Sequence, residues 1–186
     1  MLEIRWHSRA GQGAVTGAKG LADVISRTGK QVQAFAFYGS AKRGAAMTAY
    51  NRIGDDDILN HEKFMSPDYV LVIDPGLTFI VDICEFAKKE TKYIVTTHLS
   101  KEELISQKKE LANKELYILD CIKISQDTIG KPIPNAPMLG ALMKISQLLD
   151  IDFFLESFKK VLGKKLPEAI IEKNMLAIRK AYDEVK

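Results

Sequence analysis

The chain has 186 residues with a formal net charge of +3, 46% hydrophobic and 27% charged residues. This is enough to bury a substantial core and too ordinary a composition for a disordered segment. The small charge excess is interleaved with acids, as in Lys88-Lys89-Glu90, so no basic face for nucleic acid is expected. The longest apolar run near the middle, Val70 to Ile73, is far below the ~20 residues of a membrane span. The start Met1-Leu2-Glu3-Ile4-Arg5 lacks the pattern of a secretory signal. Cys84 and Cys121 are isolated and suit a reducing, cytoplasmic location.

Leu2 to His7 reads as a first strand, running into the turn Ser8-Arg9-Ala10-Gly11-Gln12-Gly13. Ala18, Leu21, Ala22 and Ile25 then recur at helical spacing, and Gly29 stands where a terminating glycine belongs. With Gln31 to Phe37 as a second strand, this predicts a β-turn-α-β unit with a right-handed crossover. Ala45 to Arg52 is expected as a strand closed by Gly54-Asp55-Asp56-Asp57, and Tyr69 to Asp74 as a buried one stopped by Pro75-Gly76. Strands over Lys92 to Thr96 and Glu115 to Asp120 follow, separated by a helix that Ser100 and Glu103 open with capping-box spacing. After a break at Gly130 to Pro137, helices are expected over Met138–Leu149, Phe153–Leu162 and Pro167–Tyr182. With no repeat or composition break, residues 1–186 read as a single α/β domain, an open, mostly parallel Rossmann-like sheet with a helical C-terminal segment.

The turn after the first strand carries the chemistry. Ser8, Ala10 and Gly13 occupy the three positions of a G-x-G-x-x-G dinucleotide fingerprint, of which the last alone is glycine. Helix-start N–H groups about Gly11, Gln12 and Gly13, with Arg9 as a cation beside them, suit a phosphate; equally, the glycines allow close packing of helix on sheet. Nicotinamide dinucleotides are disfavoured because the second strand ends Phe35-Ala36-Phe37-Tyr38, with no acid for a ribose. The following loop holds Lys42 and Arg43, either phosphate ligands on the same rim or members of a solvated or subunit-contacting loop. Asp74 with Pro75-Gly76 most simply starts a turn. A nucleophile elbow and a P-loop are absent, and His7, His61 and His98 share no ligand spacing.

These residues resemble the gamma subunit of 2-oxoacid:ferredoxin oxidoreductases, particularly the pyruvate enzyme. The resemblance runs from Ile4–Thr16 through Gln33-Ala34-Phe35, Tyr38-Gly39 and Arg43-Gly44-Ala45 to Asn51-Arg52-Ile53 and Leu71–Pro75. It continues in Pro132–Leu142 and Lys173-Asn174, and departs where members carry glycine in place of Ser8 and Ala10. It implies a chain inactive alone, helping to enclose coenzyme A, with Arg43 the basic residue carried over in its loop. It further implies alpha, beta and delta partner subunits bearing thiamine diphosphate, magnesium and 4Fe-4S clusters, with ferredoxin or flavodoxin as acceptor. Arg43-Gly44-Ala45 is closer to pyruvate members than to 2-oxoglutarate or branched-chain ones. A free-standing nucleotide-binding reductase is the alternative.

Overall fold

The computed structural model describes residues 1–39, 44–60, 62–163 and 165–186; Ser40–Arg43 and His61 therefore lie outside the described residues. Six strands form one sheet in the order β2-β3-β1-β4-β5-β6: β1 Leu2–Arg9, β2 Gln31–Tyr38, β3 Ala46–Gly54, β4 Tyr69–Val72, β5 Lys92–Thr96 and β6 Glu115–Leu119. Strands β1, β4, β5 and β6 pair in parallel, and β3 runs antiparallel to both of its neighbours. The unit β1–helix–β2 does bring two parallel strands, but β3 folds back between them as a hairpin return from β2. Alternating apolar positions predict that a strand has a buried face, not which way it runs or beside which strand.

The helices are α1 Ala14–Ile25, α2 Leu77–Ile80, α3 Lys101–Gln107, α4 Cys121–Ile129, α5 Asn135–Ser146, α6 Ile151–Leu162 and α7 Glu168–Glu184. At α3 the capping box is complete: Glu103 N–H donates to Ser100 Oγ and Ser100 N–H to Glu103 Oε2. Asp120 and Asp150 cap α4 and α6 through their carboxylates alone, accepting from Lys123 N–H and from Asp152 and Phe153 N–H. Helix α1 ends in a 3-10 turn, Ser26–Thr28, closed by Gly29 at φ 83°. Helix α5 begins within the proline-rich segment, earlier than its periodicity predicts. Pro137 falls in its first turn, where a missing N–H costs no hydrogen bond.

Side chains alternate across the sheet and divide the core. One face, with Ile4, Trp6, Leu71 and Ile94, packs against α1 and the C-terminal helices; the other, with Val70, Val72, Tyr93 and Val95, packs against Leu77, Ile83 and Leu104. Asn51 on β3 is fully buried on the α1 face: its Oδ1 accepts from Trp6 Nε1 at 2.9 Å and its Nδ2 donates to Ala18 O at 2.8 Å. It thus joins β1, β3 and α1 through one amide. Asn51→Leu keeps the branching and the number of side-chain heavy atoms but orphans the buried Trp6 N–H and the Ala18 carbonyl. We expect a loss of about 2–4 kcal/mol, read as a lower urea midpoint at unchanged slope.

Candidate functional site

The carboxyl ends of β1, β2 and β4 and the start of β3 meet on one rim of the sheet. Gly11 and Gly13 take left-handed backbone, φ 98° and 90°, which side-chain-bearing residues rarely adopt. At Gly13 a second constraint acts, because a Cβ there would lie 2.7 Å from Asn135 Nδ2. The turn is therefore seated on the start of α5, and Asn135 Nδ2 reaches Gly13 O at 3.4 Å. Helix α1 starts without a capping side chain and without an acid in its first turn. Its leading N–H groups lack intrahelical acceptors and carry the positive end of the helix dipole.

Gln12 is held from three sides. Its Oε1 accepts from Arg9 N–H at 2.8 Å, its Nε2 donates to Asp74 Oδ2 at 2.6 Å, and the Ser8 hydroxyl lies 3.2 Å from Oε1. Ser8 is fully buried, so the hydroxyl that replaces the usual glycine braces the turn from beneath. Arg9 donates through Nη1 to Gly44 O at 3.1 Å and pairs through Nε with Asp74 Oδ2 at 3.3 Å. Together with Ala10 N–H donating to Ala45 O, this ties the glycine turn to Gly44 and Ala45, just before β3. Arg43 lies outside the described residues. Asp74 does start a turn, accepting Leu77 N–H at 3.1 Å, and it also anchors Arg9 and Gln12 from β4. Sequence spacing misses that second role, because 62 residues separate Gln12 from Asp74. Asn135 was equally hidden: it belongs to the Pro132–Leu142 segment, but nothing local ties it to Gly13.

Behind the turn, between α1, α5, α6 and α7, opens a cavity of about 410 Å³. Thr16 and Asn135 line it beside the turn, Leu139, Phe158 and Ile170 line its apolar depth, and Lys19, Lys131 and Lys165, with Asp23 as the one acid among its lining residues, are on its wall. None of these lysines is ion-paired among the described residues. An apolar chamber with a few cations and a phosphate-ready turn suits a ligand that is part phosphate, part organic.

His7 differs in character. It is buried on the opposite face of β1, and desolvation, assisted by Arg5 and Lys63, pushes its imidazole pKa down to about 3. It is neutral at physiological pH.

A strand, a left-handed glycine turn and an uncapped helix on the carboxyl rim of an open, mostly parallel sheet define an α/β protein of Rossmann-like class. The dinucleotide mode does not fit, since the strand beside β1 on the β2 side is the antiparallel β3 and β2 ends without an acid. The chain belongs to the pyruvate ferredoxin/flavodoxin oxidoreductase family, whose model matches residues 3–184. It is 39% identical over 184 residues, 99% of this chain and 94% of the relative, to the pyruvate synthase subunit PorC of Thermotoga maritima. It is 40% identical over 186 residues, 100% of this chain and 98% of the relative, to the common gamma subunit of the pyruvate/ketoisovalerate oxidoreductases of Pyrococcus furiosus. The crystal structure of the pyruvate oxidoreductase subunit PORC of T. maritima superposes with a TM-score of 0.82 at 35% identity, covering 100% of this chain and 97% of that one.

Proposed function

We propose that this chain is the gamma subunit of a cytoplasmic, multi-subunit pyruvate:ferredoxin oxidoreductase and that it holds coenzyme A for the catalytic subunits. The reaction converts pyruvate, coenzyme A and oxidised ferredoxin, or flavodoxin in its place, into acetyl-CoA, carbon dioxide and the reduced carrier. The observation that carries the reading is the pairing of the glycine turn with the lysine-walled cavity, in a chain coextensive with single subunits of such enzymes. Gly11 and Gly13 present backbone N–H groups, Arg9 and Gln12 fix the turn's shape from Asp74, and Arg43 supplies a planar fork for phosphate from the neighbouring loop. The lysines take the remaining phosphate charge, and the apolar wall takes the organic portion.

The redox groups belong to companions. The sequence holds two cysteines, Cys84 after α2 and Cys121 at the start of α4, which cannot supply the four thiolates of a 4Fe-4S cluster. No group of three or more His, Cys, Asp or Glu is placed to hold a metal ion among the described residues. Alpha, beta and delta subunits therefore bring thiamine diphosphate, magnesium and the clusters, and this chain's part is binding and positioning. The shared Pyrococcus subunit supports a second reading of the substrate, in which one gamma chain serves both a pyruvate and a branched-chain 2-oxoacid enzyme.

The test is a coenzyme A titration of the assembled enzyme at saturating pyruvate, with viologen as acceptor. Lys131→Glu and Arg43→Ala are each expected to raise the apparent KM for coenzyme A about ten- to a hundredfold, the loss of one charge-assisted hydrogen bond. The KM for pyruvate should hold. Arg43→Lys should recover part of the loss, since a point charge cannot form a bidentate pair. An unchanged KM for coenzyme A in both variants removes this ligand from the site.

A further inference from the structure

On the sheet face opposite α1, the β2–β3 hairpin carries an aromatic layer of its own: Phe35 stacks on Tyr50 at 5.1 Å, and Phe64 meets Tyr50 edge-on at 4.9 Å. Toward the carboxyl end of β2 that layer opens to solvent. There Phe37 is 46% exposed; Tyr38, the next residue and on the other side of the strand's alternation, is 63% exposed at the strand end, and Ile80, adjacent to Val81, is 67% exposed. A cavity of about 270 Å³ lies between the hairpin and the α2 segment, walled by Phe37, Tyr38, Val81, Asp82 and Glu85 and reaching His7.

His7 is 7% exposed, and its Nε2 has no hydrogen-bond partner among the described residues. Its burial keeps the ring neutral, leaving one nitrogen able to donate and the other to accept. Buried polar atoms in folded proteins are almost always satisfied, so an orphan beside a cavity marks a place where another molecule completes the pairing. Asp82 and Glu85 on the same wall are not ion-paired among the described residues and outnumber Lys63, the one cation among the residues lining this cavity, so a docked basic group would meet a net negative wall. Clustered exposed apolar residues with a polar rim are the usual character of an interface.

We propose that this surface receives a companion subunit of the same enzyme, which inserts an apolar side chain between Tyr38 and Val81, hydrogen-bonds His7 and sets a basic group against Asp82 and Glu85. The inference rests on the gamma-subunit reading, and the rim position favours this occupant over a second copy of the chain. His7 lies two residues before Arg9 on β1, so the cavity shares its rim with the glycine turn. In that reading a ligand whose phosphates sit at the turn must bring its distal thiol to an acyl group formed on another chain, so the chain that forms it has to approach this rim.

The experiment is co-expression with the companion subunits, followed by measurement of the dissociation constant. Tyr38→Asp and Ile80→Asp change exposed residues and leave the isolated fold intact. Each is expected to weaken association at least about thirtyfold, as truncation of an interface anchor does. His7→Phe should weaken it about tenfold while the isolated chain melts no lower at pH 7, a combination that a merely structural histidine would not give. Association unchanged in all three variants overturns the proposal and leaves the subunit reading standing. Variants that abolish self-association of the chain while sparing the companions overturn it in favour of a second copy. A wild-type chain that binds no companion overturns both readings together.

Discussion

Gly140→Ala is expected to cost more than about 3 kcal/mol, the largest stability loss from a single methyl group in this chain. Helices α5 and α7 cross in contact at this point, and a Cβ on Gly140 would stand 2.0 Å from Ile178 O and 2.9 Å from the Ile178 carbonyl carbon. An ordinary carbon–oxygen contact is over 3 Å, and the obstacle is backbone, which cannot rotate aside. The helices must separate, which disturbs Leu139, Met143 and Ala177 in the main core. Alanine's better helix propensity returns about 1 kcal/mol at most. At roughly 2–4 °C per kcal/mol for a chain of this size, the melting temperature should fall by about 10 °C. A calorimetric midpoint within 2 °C of wild type would falsify the close approach.

Acidification should unfold the isolated chain in a His7-dependent way. The folded pKa of His7 is about 3 against an ordinary 6.5, with desolvation the main cause and Arg5 and Lys63 adding repulsion. Asp82 and Glu85 line the same cavity, and their charges do not offset the burial. Because the depressed pKa belongs to the folded state, the unfolded chain binds an extra proton below pH 6.5. Stability from this group is full above pH 6.5 and is lost as pH falls toward 3, at up to about 1.4 kcal/mol per pH unit. Carboxylates with lowered pKa values, such as Glu115 beside Tyr117 and Lys92, add a loss of the same sign. They are common to wild type and His7→Phe, so the difference between the two denaturation curves isolates the histidine. The curves should run parallel from pH 7 to 8 and diverge from pH 6.5 to 4. Parallel curves throughout would mean that His7 protonates in the folded protein as readily as in water.

Much of this molecule was legible before folding because its signals are local. The first strand, its glycine turn and α1 follow from short-range sterics and periodicity, and so do the capping box at Ser100 and the left-handed Gly29. Their energies depend on residues within a turn or two. The family followed from separated blocks of residues in order, and the full-length match to gamma-type subunits bears it out. Tertiary structure alone decided what depends on distant partners. Strand order and direction put β3 antiparallel between β2 and β1, a choice to which a period-two pattern is blind. The sheet then carried Asp74 to Gln12, α5 carried Asn135 under Gly13, and α7 brought Ile178 against Gly140. The same sheet left His7 buried, with no partner at Nε2 among the described residues. Each is a contact between segments far apart in the chain, and no residue's own chemistry says which distant group will meet it.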